Sequence, residues 1–150
     1  MRLENTVKQT CLIFSILLLL APALWAGPLH DAAETNDTVR IKQLIDEGRN
    51  ISEIDANGSW PLLAAASNGH MDSVELLLEL GADPNQTDQY AYTALHEAAS
   101  TGYRDIVDIL ISAKANMNAR DINSVSPLGY ALRSGNADTI ELLQSLGARQ

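Results

Sequence analysis

Residues 60–85 read WPLLAAASNGHMDSVELLLELGADPN, and this stretch decides the fold because it holds one complete structural unit. Pro61 opens a helix, since its missing N–H costs nothing at the first helical position and its ring presets φ. Leu62, Leu63, Ala64, Ala65 and Ala66 make that helix short and apolar, with small residues that let another helix approach closely. Asn68-Gly69 ends it with a residue that tolerates positive φ. From His70 to Leu80, Val74, Leu77 and Leu78 recur at helical spacing with Asp72, Glu75 and Glu79 between them, which predicts one buried stripe and one wet face. Gly81 closes this second helix from the position just past its C-cap.

The same unit recurs at a fixed period. Pro28, Pro61, Ala94 and Pro127 stand 33 residues apart without an insertion, and Leu29, Leu62, Leu95 and Leu128 follow them. The turn between the two helices repeats as Asn36-Asp37, Gly69-His70, Gly102-Tyr103 and Gly135-Asn136. With this period, the run Thr93-Ala94-Leu95-His96-Glu97-Ala98-Ala99, the Gly69-His70 pair, Leu76-Leu77-Leu78 and Gly81-Ala82-Asp83-Pro84-Asn85 together resemble the ankyrin repeat. The resemblance covers residues 27–150. It implies an all-α repeat solenoid of four helix-turn-helix units, about 27–59, 60–92, 93–125 and 126–150, joined by short β-hairpin loops and stacked into a curved array. It also implies a local hydrogen bond between Thr93 and His96 that ties a hairpin to its helix. Four units form a complete stack, because at least ~3 are needed to bury a continuous core.

Residues 1–26 are different in kind. A short polar start carries Arg2 and Lys8 against Glu4, and the apolar run Cys11 to Ala21 follows, with Pro22 at its end. That run has the length of a signal-peptide core, whereas a bilayer span needs ~20 apolar residues, so a cleaved leader is expected and an uncleaved N-terminal anchor is the alternative. Small residues offer cleavage after Ala23 or after Ala26. Ala26 is preferred because Gly27-Pro28 then begins the first repeat. Cys11, the single cysteine, falls inside the leader, so the exported chain would have neither a disulfide nor a thiol nucleophile. Losing Arg2, Lys8 and Glu4 with the leader takes the formal charge from −9 to −10. Such acidity argues against nucleic acid and anionic membrane surfaces and favours a neutral or basic partner, although it also serves solubility alone.

Individual repeats depart from the template in readable ways. The first carries Asp31, Glu34, Asn36 and Asp37 on one helix and Arg40, Lys42, Gln43, Asp46 and Glu47 around Ile41, Leu44 and Ile45 on the other, as a capping repeat should. Its exit, Arg49-Asn50-Ile51-Ser52, departs from the Gly-Ala-Asp pattern and is expected to be less regular. Asp55-Ala56-Asn57-Gly58 reads as a tight turn, with Asn-Gly supplying positive φ. Trp60 replaces the residue that would cap the first helix of its unit and is expected to pack locally, the alternative being an exposed contact. Lys114 stands where other repeats have Gly, so either it adopts positive φ or that helix end loosens. Asp121-Ile122-Asn123-Ser124 forms the third turn, and Ser126 caps the helix that Pro127 opens.

The chain has no Gly-rich phosphate loop, no Gly-x-Ser-x-Gly elbow and no His-Glu-x-x-His zinc helix. His96-Glu97 invites an acid–base or metal reading, but neighbours on a helix point apart and no second His stands four residues on. The Asp-x-Asn pairs Asp55/Asn57 and Asp121/Asn123 lack the Gly and Glu of a calcium loop and read as turns. No cofactor is expected.

A solenoid without a reactive constellation reads as a non-catalytic module that grips a folded protein. The leader places it outside the cytoplasm, in a bacterial periplasm or beyond, as a monomer with no membrane contact after cleavage. Exported bacterial ankyrin proteins, which it resembles, look like accessory factors for an enzyme such as a catalase or like immunity proteins that block a toxin. A host-directed effector and an enzyme with a groove active site are the remaining readings. In the ankyrin family the hairpin tips and first-helix ends vary with the partner. Here these map to Asn57, Ser59, Gln89, Tyr90, Tyr92, Ile122, Asn123 and Val125, and to Ser67, Asn68, Ser100, Thr101, Arg133 and Ser134. Tyr90 and Tyr92 are the only aromatic residues among them and the expected anchors, unless one folds back onto its own hairpin.

Overall fold

The computed structural model of the protein describes residues 28–149, so the expected leader, its cleavage point and Cys11 lie outside the described residues. Among the described residues eight helices run in order: α1 (Pro28–Glu34), α2 (Thr38–Asp46), α3 (Pro61–Ser67), α4 (Met71–Glu79), α5 (Ala94–Thr101), α6 (Arg104–Ser112), α7 (Pro127–Ser134) and α8 (Ala137–Ser145). Each odd-numbered helix pairs with the one after it. The odd helices stack on one another as an inner layer, and the even ones stack as an outer layer.

One residue position repeated in every unit builds each level of the core. Leu29, Leu62, Leu95 and Leu128 are buried, and so are Ala32, Ala65, Ala98 and Ala131. The outer layer contributes Leu44, Leu77, Leu110 and Leu143 in the same way. Leu78 and Ile45, expected in the stripe, are only half-buried, because they sit at the edge of the outer face. Short helices of this kind are marginal alone, and stacking of apolar faces supplies most of their stability.

Local chemistry sets the helix ends. Thr93 caps α5 by accepting from the His96 N–H, Ser126 caps α7 by accepting from the Gly129 N–H, and Trp60 leaves α3 without a side-chain cap. Trp60 is buried, as its expected packing role requires. Gly69 and Gly102 are needed for two reasons: both have positive φ, and a Cβ at either would lie 2.8 Å from the Tyr103 ring or 2.7 Å from Asn136. Lys114 holds positive φ (72°), so the helix end stays tight at a cost of about 1 kcal/mol.

The first repeat's exit is not irregular. Arg49 N–H reaches the Leu44 carbonyl at 3.0 Å just as Ala82 reaches Leu77 at 2.9 Å, and Asn50 receives the Ser52 N–H as Asp83 receives that of Asn85. These bonds need only a backbone and a short polar side chain, so losing the Gly-Ala-Asp pattern does not disturb them.

Candidate protein-binding surface

Each loop between repeats turns on one aspartate, and the three aspartates keep the 33-residue spacing. Asp55 Oδ1 accepts from the N–H groups of Asn57 and Ser59, both at 2.8 Å. Asp88 Oδ1 accepts from Tyr90 and Tyr92 at 2.8 and 2.9 Å, and Asp121 Oδ1 from Asn123 and Val125 at 2.9 and 2.8 Å. A backbone bond from the aspartate N–H to the fifth residue closes each loop. The hairpins are tight turns, and no strand is present among the described residues. Positive φ falls on the fourth residue alone, Gly58, Ala91 or Ser124, so Asn57 does not need the left-handed conformation expected of it. Partial burial raises the Asp55 and Asp121 carboxyls, but the hydrogen bonds they receive outweigh it and hold both below the usual carboxylate range.

The hairpins are not evenly joined. The Ile122 N–H donates to the Tyr90 carbonyl at 2.9 Å, which fastens the third hairpin to the second. No backbone hydrogen bond joins the first hairpin to the second at the equivalent place. Between those two a groove of about 410 Å³ opens, with Ile54, Asp55, Asp88 and Tyr90 among the residues that line it. Ile54, Tyr90 and Ile122 are 60, 52 and 63% exposed; Tyr90 and Ile122 stand on hairpin tips, and Ile54 just before the first hairpin.

Tyr90 and Tyr92 part company. Tyr92 turns inward, donates its hydroxyl to Glu97 at 2.9 Å and stacks on the His96 ring with centroids 5.2 Å apart. Tyr130 meets both rings edge-on at 5.3 and 5.7 Å and donates to Asp121 Oδ2 at 2.7 Å, with the Arg133 guanidinium 5.9 Å from its centroid. Burial first, and then the Glu97 charge, push the Tyr92 phenol well above its usual range; burial and Asp121 push that of Tyr130 up to about 12. Both phenols remain protonated donors at neutral pH.

The other expected contact residues divide similarly. Asn57, Gln89 and Asn123 are exposed at the tips, while Ser59 and Val125 are half-buried and lend their carbonyls to His30 and His96. At the helix ends, Asn68 Nδ2 and Thr101 Oγ1 donate back to their own helices at 2.8 and 2.9 Å, as does Ser67 Oγ at 3.0 Å. Ser100 is half-buried, with its carbonyl taken by Asn136, whereas Arg133 and Ser134 are exposed. Ile54 and Tyr130 were not singled out from the sequence, and Glu97 was weighed only as a partner of His96, not of Tyr92. Tyr130 had a readable signal, since it is aromatic where the other units carry Asp31, Ala64 and Glu97.

All three histidines are bonded to the scaffold. His96 Nδ1 accepts from the Thr93 N–H at 3.1 Å, and Nε2 donates to the Val125 carbonyl at 3.2 Å. Burial lowers its pKa, against the pull of that carbonyl and of Asp121, so the neutral ring is the resident form. His30 Nε2 reaches the Ser59 carbonyl at 2.8 Å, and His70 Nε2 that of Glu34 at 2.7 Å. With both nitrogens of His96 committed, the histidine of the His96-Glu97 pair has no free nitrogen for acid–base work. Among the described residues no group of three or more His, Cys, Asp or Glu is placed to hold a metal ion, and no helix is long and apolar enough to cross a membrane.

Two stacked layers of short helices with projecting turns define a helical repeat module with an exposed row of tips. The family model for ankyrin repeats matches three times, over residues 11–88, 29–121 and 81–150, and the chain belongs to the ankyrin repeat family. No curated protein matches it. Membership indicates a protein–protein interaction module.

Proposed function

We propose that this protein is an exported, non-catalytic module that grips a folded, neutral or basic protein through its hairpin tips and inner-helix ends, as an accessory factor to a stress-defence enzyme such as a catalase. The observation that carries the binding face is the pair Tyr90 and Ile122, both exposed and held side by side by the backbone bond between their hairpins. Rigid presentation of a tyrosine beside an aliphatic residue lowers the ordering cost of association. Asp55 and Asp88 in the neighbouring groove, with no Lys or Arg among the residues lining it, favour a partner with basic side chains. Export is supported by the short apolar run ahead of the first repeat.

The test begins with capture of partners from the exported fraction of the native host. Tyr90→Ala with Ile122→Ala is expected to weaken binding by about 2 kcal/mol or more in titration calorimetry, with helical content unchanged. Affinity within about 0.5 kcal/mol of wild type would move the site off these tips. Co-capture of catalase activity would support the accessory role, whereas capture of a toxin would replace it with an immunity role. Intact-mass measurement should find a chain starting at Gly27, and a mass retaining Met1 to Ala26 would remove the cleavage claim.

A further inference from the structure

We propose that Asn57 is a self-modification site: its side-chain amide is lost through a succinimide formed with Gly58, and hydrolysis leaves a carboxylate at the tip of the first hairpin. The chemistry needs only water. The Gly58 backbone nitrogen gives up its proton to water or hydroxide and attacks Asn57 Cγ; the Cγ–Nδ2 bond breaks and ammonia leaves. A second water opens the five-membered imide at one of its two carbonyls. One opening gives aspartate with the chain as before, and the other gives isoaspartate with the chain rerouted through the side chain. Such an intramolecular attack depends on bringing the two atoms together, and glycine allows it most readily because it has no Cβ to crowd the ring and rotates freely.

The sequence holds this dipeptide twice, as Asn57-Gly58 and as Asn68-Gly69, and the structure tells the two apart. Asn68 Nδ2 donates to the Ala64 carbonyl at 2.8 Å and so seals the end of α3. Gly69 packs against the Tyr103 ring, where a Cβ would come within 2.8 Å of it, and the next N–H, that of His70, is bonded to the Ala65 carbonyl at 3.0 Å. Bringing the Gly69 nitrogen onto Asn68 Cγ therefore requires opening a helix end and parting it from the neighbouring repeat.

Among the described residues nothing comparable holds Asn57. It is exposed, and its side-chain amide has one long contact, 3.4 Å, to Asp55 Oδ2 in its own loop. A Cβ on Gly58 would meet nothing within 4 Å. The Gly58 N–H must leave the Asp55 carbonyl, 3.1 Å away, and that bond lies within a single turn. The third hairpin is fastened to the second through Ile122 and Tyr90, but no such bond ties down the first, so this turn can open alone. Asn123, at the equivalent place in the third hairpin, is followed by Ser124, whose Cβ crowds the closure.

Asn57 and Gly58 line the same groove as Asp55 and Asp88. Conversion to aspartate adds a carboxylate to it, and conversion to isoaspartate adds a backbone atom to a loop closed by the Asp55 N–H on the Ser59 carbonyl at 2.9 Å. On the binding reading above, the first change strengthens the pull on a basic partner and the second reshapes the face. The modification itself does not depend on that reading and is measured on the free chain, so either can fail without the other.

The full chain is incubated at mildly alkaline pH in water enriched in oxygen-18, and each asparagine is read from the masses of peptide fragments. Asn57 is expected to appear as two isomeric acids, each carrying one heavy oxygen, while Asn68 in the same sample keeps its amide. In urea, where both glycines are released, the two sites should convert at a similar pace. Equal conversion of Asn57 and Asn68 in the folded chain would overturn the proposal, and so would an Asn57 that stays intact when folded and converts in urea. Gly58→Ala adds a second check, because Ala91 holds the equivalent turn position at φ 56° and the fold should tolerate the change. Asn57 should then stop converting, and undiminished conversion would overturn the role of Gly58; if the variant does not fold, the wild-type comparison of Asn57 with Asn68 decides alone.

Discussion

His30 and His96 occupy the same position two repeats apart, and each ties its inner helix to the following hairpin through Nε2, to Ser59 in one case and Val125 in the other. Their remaining nitrogens meet opposite surroundings. In the third repeat Nδ1 accepts from the Thr93 N–H while Tyr92 stacks on the ring, so the neutral form is locked. In the first repeat Nδ1 lies 3.7 Å from Glu53 Oε1. The repeat frame thus fixes one half of the imidazole, and the residues outside the frame decide what the other half does.

The largest expected effect tests the frame itself. Leu77→Ala removes a fully buried side chain from the level shared with Leu44 and Leu110 and should cost about 3 kcal/mol, while Glu79→Ala on the exposed face should cost less than about 0.5 kcal/mol. Equal urea midpoints for the two would mean that the outer stripe does not carry the stack. Next, His96→Ala should cost about 2 kcal/mol at pH 8, since it leaves the Thr93 N–H and the Val125 carbonyl unpaired and removes a stacked ring. His30→Ala should cost roughly half as much at that pH, because it breaks only the Ser59 bond and removes one of two opposed acceptors. Similar losses at pH 8 would erase the distinction between the two repeats.

A smaller effect separates the two tyrosines of the second hairpin. Tyr92→Phe keeps the ring stack and loses the bond to Glu97, so thermal unfolding should register about 1 kcal/mol of destabilisation, whereas Tyr90→Phe should register none. The smallest effect is a slope. His96 is held neutral when folded, so the unfolded chain binds more protons near its ordinary value; the stability it contributes is full above about pH 6.5 and is lost as pH falls below it. Comparison of wild type with His96→Gln between pH 7.5 and 5 should show the wild type losing ground on acidification. Equal slopes for wild type and variant would mean that the third repeat does not hold the His96 ring neutral.

The parts legible in the sequence were those enclosed within one repeat. Leu77 and Glu79 differ in burial because of where they fall on a single helix turn, and the Thr93–His96 bond spans three residues. The left-handed Lys114 follows from its alignment with Gly48, Gly81 and Gly147. Asn57 was misjudged because two turn geometries fit Asn-Gly, and the one chosen depends on the aspartate two residues earlier taking the Asn57 and Ser59 N–H groups.

By itself, the sequence determined the period, the helix pairs, the buried leucines and the turns, because these depend on the order of apolar and polar residues within a few turns of chain. The tertiary structure alone decided that Tyr92 points in while Tyr90 points out, that Tyr130 joins the His96 ring, that Ile54 shares a groove with Tyr90, and that Glu53 faces His30. Most of these contacts join side chains from neighbouring repeats, and the rest turn on how a hairpin folds back onto its own helix. Their outcome therefore rests on how successive units stack, and a pattern that repeats identically along the chain carries no record of which neighbour fills the gap between two units.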